Sequence, residues 1–147
     1  MTKQQATTAA VEHVVRRLYE EVWTLGDLTV LDDLLAEDVV SFLPGPPQPS
    51  RGVDAYRETV EQFRVAFPDI RFGLDDIVAD GGVVAARYTM RGTHEADLLG
   101  VPASNRSVEM RGVAFATVVD GKIAEIHDSA DTLNLLFQVG GMPASAA

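Results

Sequence analysis

The chain contains no cysteine. Disulfides, thiolate metal ligands and cysteine nucleophiles are therefore excluded. Basic residues are also scarce, 12 Lys and Arg against 22 Asp and Glu, a formal net charge of −10. An acidic balance of this size favours solubility and opposes binding to nucleic acid or to an anionic membrane. The acidic residues are dispersed, which describes a solvated surface and not an acidic tail. No apolar run approaches the length of a membrane span. Met1 to Ala10 lacks the basic-then-apolar order of a signal peptide. A cytoplasmic location is the expectation. The three histidines are far apart in sequence and suggest no metal site. There is no G-x-S-x-G elbow, Walker loop, dinucleotide fingerprint or H-E-x-x-H motif. Cofactor-free acid–base chemistry, or plain binding, remains.

What is present reads as one domain over residues 1–147, long enough to bury a sizeable core. Met1 to Thr8 is polar and expected to be loose. Val11, Val14, Val15, Leu18 and Val22 follow at helical spacing, giving a first helix to about Leu25. Gly26 ends it, and Asp27 is placed to cap a second helix with Leu28, Leu31, Leu34 and Leu35. Val39 to Leu43 reads as a short strand. The proline-rich stretch from Pro44 to Pro49 must be a loop. Val53, Tyr56, Val60, Phe63 and Phe67 form a third helix stripe, stopped by Pro68.

The rest alternates as strands: Ile70 to Val78, Val83 to His94, Ser107 to Val119, and Lys122 to Ala130. Asp120-Gly121 is a strong hairpin signal between the last two. Alternate strand residues point to opposite faces. One face collects Val84, Ala86, Tyr88, Met90, Gly92 and His94, then Val108, Met110, Gly112, Ala114, Ala116 and Val118, then Ala124, Ile126, Asp128 and Ala130. The other carries Val113, Phe115, Ile123 and His127 among charges. The predicted architecture is α+β: a curved, mostly antiparallel sheet, three main helices packed on one face, and an apolar pocket enclosed between them.

Asp128 is the only charge on the apolar face. Burial of a carboxylate raises its pKa towards that of a useful general base. The bland alternative is a frayed strand end bonded to backbone. His94 is the second acid–base candidate, against the alternative of an exposed strand-end histidine. The pocket wall would include Tyr56, Tyr88, Met90, Met110, Gly112, Ala114, Ile126 and Trp23, although Trp23 is also a simple core or rim residue. His127 faces away from Asp128 and suits packing or an interface. Asp131 reads as the N-cap of the short helix after it. Arg87, Arg91 and Arg111 read as cross-strand charge pairs with Glu109 and Glu125.

Together these stretches resemble the SnoaL-like polyketide cyclases, within the nuclear-transport-factor-2-like fold that also houses ketosteroid isomerases. The resemblance runs through Tyr19-Glu20-Glu21-Val22-Trp23 with Gly26-Asp27, Leu34-Leu35-Ala36-Glu37-Asp38, Arg51-Gly52 and Phe67-Pro68-Asp69. It continues in Gly92-Thr93-His94, Leu99-Gly100-Val101-Pro102, Val119-Asp120-Gly121-Lys122-Ile123, Asp128, Asp131 and Gln138-Val139-Gly140. It implies intramolecular aldol ring closure without metal or cofactor on a hydrophobic, polyketide-like small molecule. Asp128 would be the acid–base residue and His94 its partner. Isomerase, hydroxylase and hydrolase relatives share the fold, and a non-catalytic binding protein or an accessory subunit are the other readings. The family's cyclases also place a glutamine and a histidine inside the strand that precedes the aspartate. Gly112 and Ala114 stand there in this chain, which predicts a roomier and more apolar cavity. The half-apolar outer sheet face predicts a homodimer.

Overall fold

A computed structural model describes residues 3–141. The valine–leucine stripe winds into α1 (Lys3–Arg17), so the helix starts well inside the stretch expected to be loose. Residues 1 and 2 of that stretch lie outside the described residues. A π-helical turn, Leu18–Thr24, continues α1. Here Leu25 N–H bonds Glu20 O, five residues back, at 3.2 Å. Such wide turns are rare and recur at functional sites. Leu18, Tyr19, Val22 and Trp23 of this turn are all buried.

Gly26 closes the turn at φ +75°, where a side chain is strained, and a Cβ there would lie 2.7 Å from the Arg64 guanidinium. Arg64 Nη1 donates to the carbonyls of Trp23 and Thr24 at 2.7 and 3.0 Å. It thereby satisfies acceptors that a helix end leaves free. Asp27 caps as the sequence suggests, accepting from Thr29 N–H at 3.1 Å. The segment it caps is short, a 3₁₀ turn (Leu28–Val30) and α2 (Leu31–Leu34). Leu35, expected in that helix, opens β1 (Leu35–Phe42) instead. Its side chain is buried there, so apolar spacing alone could not separate the two states.

After β2 (Ser50–Arg51) come α3 (Val53–Ala66), β3 (Arg71–Asp80), β4 (Val83–Thr93), β5 (Ser107–Val119), β6 (Lys122–Ala130) and α4 (Thr132–Gln138). The strands form one open, curved sheet in the order β2-β1-β6-β5-β4-β3. Every pairing is antiparallel except β1 with β6, which run parallel. Asp120 and Gly121 take φ +51° and +79° in the β5–β6 turn. That is the two-residue, positive-φ turn which suits the twist of a hairpin. Helices pack against one face of the sheet, as predicted.

Register shifts interrupt β1–β6, β3–β4 and β5–β6, and the last of them re-aims a core residue. Thr117 faces Glu125 and Val118 faces Ile123, leaving Ala124 as the extra residue of a bulge. A bulge reverses side-chain parity. Ile123 therefore turns into the core, fully buried, and leaves the outer face to which the alternation assigned it. The outer face keeps Val113 and Phe115, 39% and 52% exposed. On it the Phe42 ring stacks on His127, centroids 4.2 Å apart. Its charges pair partly as expected: Arg91 with Glu109 at 3.5 Å across β4–β5, but Arg87 with Asp76 on β3. Glu125 takes His127 as its partner at 2.5 Å. No helix among the described residues is long and apolar enough to cross a membrane.

Candidate active site

The inner face of β6 presents Asp128 beneath the helices, paired across the ladder with Ala114 of β5. Two phenols converge on its carboxylate. Tyr88 of β4 donates to Oδ1 at 2.6 Å, and Tyr19 of the π turn donates to Oδ2 at 3.4 Å. Strand alternation puts Tyr88 and Asp128 on one face but does not say that they touch, because it lists neighbours within a sheet and not what reaches over it. The residue is half-buried. One side of the carboxylate opens on a cavity, while protein atoms surround it in most other directions. Desolvation dominates and raises its pKa to about 6, against the opposing pull of the Tyr88 and Tyr19 hydroxyls. Burial and the nearby carboxylate raise all three phenols, Tyr19, Tyr56 and Tyr88, so each stays protonated and can donate.

The cavity measures about 140 Å³ and is mostly apolar. Trp23, Phe63 and Phe72 form one wall, and Tyr88, Met110, Asp128 and Ala130 of the sheet form another. Leu43, Pro44 and Pro46 of the β1–β2 loop, Leu98 and Leu99 of the β4–β5 loop, and Thr132 and Leu135 of α4 also line it. The aromatic rings pack in mutual contact. Trp23 and Phe72 centroids are 5.3 Å apart, and Phe72 and Tyr88 are 5.1 Å apart. Trp23 donates its indole N–H to the Tyr56 hydroxyl at 2.8 Å, which fixes the ring that faces the cavity.

The structure thus brings Asp128, Tyr88, Met110 and Trp23 together on one cavity. Tyr56 stands behind Trp23. Met90, Gly112, Ala114 and Ile126 are buried in the same sheet face but do not border this space. Nor does His94. It is fully buried, contrary to an exposed strand end, against Phe67, with ring centroids 5.7 Å apart. Ser104 N–H donates to its Nδ1 at 3.1 Å, so that nitrogen is the acceptor and Nε2 carries the proton. Nε2 has no partner among the described residues. Main-chain bonds from His94 N–H to Arg106 O and from Asn105 N–H to His94 O complete a clamp across the base of the 95–106 loop.

The expected spaciousness around Gly112 is also absent, because the Tyr88 ring occupies it: a Cβ on Gly112 would lie 2.3 Å from the Tyr88 hydroxyl oxygen. Tyr19 was not anticipated as a site residue. Its signal was its position four residues before Trp23 and four after Val15, which puts it on the buried helix face. Nothing in that spacing said which polar group it would meet. Among the described residues, no group of three or more His, Asp or Glu is placed to hold a metal ion.

Comparison with known proteins agrees with this fold. The family model described as SnoaL-like polyketide cyclase matches residues 13–139. Aklanonic acid methyl ester cyclase DnrD of Streptomyces peucetius is 30% identical over 92 residues, covering 61% of this chain and 63% of that protein. The match therefore spans a little under two thirds of that relative's length. IdmH of Streptomyces antibioticus, a candidate polyketide cyclase, superposes with a TM-score of 0.79 at 33% identity, over 88% of this chain and 98% of its own. A SnoaL-like protein of Jannaschia sp. CCS1 superposes at 0.87 over 97% of this chain and 100% of its own. At 20% identity that likeness concerns the fold alone.

Proposed function

The chain belongs to the SnoaL-like polyketide cyclase family, and from that premise we propose that it is a cofactor-independent enzyme acting on a flat, hydrophobic carbonyl compound. The observation that carries the reading is a carboxylate of raised pKa, about 6, opening on an apolar cavity. A base with a pKa near neutrality combines a useful ionised fraction with a real pull on a carbon-bound proton. Asp128 takes a proton from the carbon next to a carbonyl. The C–H bond breaks, its electron pair moves to the carbonyl oxygen, and the proton bonds to the carboxylate. As the carboxylate takes the proton, the single O–H of Tyr88 turns from Asp128 to the enolate oxygen and donates to it. The enolate carbon then bonds to a second carbonyl carbon of the same molecule. That carbonyl's oxygen receives the proton back from Asp128, which closes the ring. Without a second carbonyl, return of the proton to another carbon gives isomerisation.

His94 enters this reading through the loop. By holding Ser104, Asn105 and Arg106 it anchors the segment that carries Leu98 and Leu99 to the cavity. A cytoplasmic homodimer, joined through the outer sheet face, is part of the same proposal. The second reading is a binding protein with Asp128 as a polar anchor. It is favoured by the engagement of both carboxylate oxygens with tyrosines in the resting state.

β-Tetralone, a flat bicyclic ketone with acidic α-protons, separates the two. The measurement is hydrogen–deuterium exchange of those protons in D₂O, followed by NMR. The enzyme reading expects faster exchange with the native protein and none with Asp128→Asn. Binding of the ketone by both proteins with no acceleration by either would establish the binding reading.

A further inference from the structure

Tyr88 stands on β4 directly opposite Gly112 on β5, and Gly112 in turn pairs with Ala130 on β6. Asp128 lies one inward step along β6 from Ala130. The Tyr88 side chain must therefore cross the full width of β5 before its hydroxyl meets the carboxylate at 2.6 Å. Neighbouring strands lie about 4.8 Å apart, so the ring has to lean across the inner surface of β5 instead of standing upright from β4. Any side chain on β5 at the crossing point would stand in its path.

At that point β5 has none. A Cβ on Gly112 would lie 2.3 Å from the Tyr88 hydroxyl oxygen, 2.4 Å from Cζ and 2.9 Å from Cε1. These distances are shorter than non-bonded atoms tolerate. Two ring carbons and the hydroxyl of one rigid phenol are involved, so a small rotation does not relieve them. The backbone itself makes no demand for glycine. Gly112 is not among the residues at positive φ and sits in regular antiparallel pairing on both sides. An unneeded glycine in a strand interior costs stability, and one reason for it is the close approach of another group. Here that group is the phenol.

We propose that Gly112 is a positioning residue and that Gly112 and Tyr88 act as one unit: the missing side chain on β5 is the passage through which β4 delivers a hydroxyl to Asp128. The chain thereby supplies the polar partner of its β6 carboxylate from two strands away. The same ring fills the space over Gly112 and lines the cavity. This rests on Asp128 being the working carboxylate of the proposed function, but its test does not use turnover.

The test is a cycle of four proteins: native, Gly112→Ala, Tyr88→Val, and the double variant. The readouts are the Asp128 titration midpoint, from side-chain carboxyl ¹³C NMR, and the melting temperature. With Tyr88 present, Gly112→Ala should move the midpoint upward by displacing the hydroxyl that favours the ionised form, and should lower the melting temperature. With valine at 88 the same substitution should change neither. Should Gly112→Ala alone fail to fold, a folded double variant supports the coupling. Failure of both would overturn it, as would equal effects of Gly112→Ala in the two backgrounds or no effect in either. A native protein that does not exchange ketone α-protons would sink the enzymatic reading while leaving this cycle intact.

Discussion

The hydroxyl of Tyr88 lies 2.6 Å from Oδ1 of Asp128, although two strand spacings separate their backbones. This bond lowers the Asp128 pKa against the larger effect of desolvation. Tyr88→Phe removes the donor and retains most of the buried ring. The Asp128 midpoint should then rise above its native value of about 6, read by carboxyl ¹³C NMR. If exchange of ketone α-protons is measured alongside, its pH profile should move in the same direction.

The sign of the pH dependence of stability follows from the same shift. Asp128 is harder to ionise in the folded protein than in the unfolded chain. Its stability cost is absent below the unfolded pKa of 3.8, grows as pH rises, and levels off above about 6. A shift of this size corresponds to roughly 3 kcal/mol at most. Asp128→Asn cannot ionise and should melt higher than the native protein above pH 6 but not near pH 3. Part of the gain will be lost because an amide cannot accept from both phenols through two oxygens. A lower melting temperature at pH 8 would mean that the carboxylate is a structural acceptor.

Arg64 ties α3 to the end of the π turn through two carbonyls. Arg64→Ala should cost about 1.5–3 kcal/mol, the usual range for hydrogen bonds to a charged group. Because the turn carries Trp23 and Tyr19, the variant should also bind flat ketones more weakly. Urea unfolding and a ketone titration followed by Trp23 fluorescence measure the two effects.

Ala114 faces Asp128 across the ladder and is 1% exposed. Ala114 does not line the cavity, and the Tyr88 ring lies over the neighbouring Gly112. Ala114→Leu should destabilise by about 1–3 kcal/mol through overpacking. A neutral or stabilising result in chemical denaturation would mean that this part of the sheet face is hollow.

On the outer face, Phe115 is half exposed and pairs across β5–β6 with His127, on which Phe42 stacks. Phe115→Asp should place a charge in the proposed dimer contact and leave the core untouched. Sedimentation should show a native dimer at micromolar concentration and a monomeric variant of unchanged melting temperature. A monomeric native protein would remove the dimer from the proposal.

Strand alternation located Asp128 on the buried face and put Val113 and Phe115 outside, because period-two burial is written directly into the order of residues. It misplaced Ile123 because a bulge at Ala124 changes parity without leaving a distinctive residue type behind. His94 illustrates a different gap. Its position just past the end of β4 was legible, whereas its burial against Phe67 and its clamp on Ser104 depend on a loop that folds back over it.

The sequence by itself determined the class of the fold, the strand bearing the carboxylate, the Asp120-Gly121 hairpin and the apolar character of the enclosed face. Each of these is a local property, carried by spacing, turn chemistry and side-chain type within one segment. Only the tertiary structure decided what Asp128 touches. Tyr19 comes from a helix and Tyr88 from a strand two places away, and both reach the carboxylate over other elements. Such meetings depend on the direction of long side chains and on the room that residues such as Gly112 leave for them, and no spacing along the chain records either.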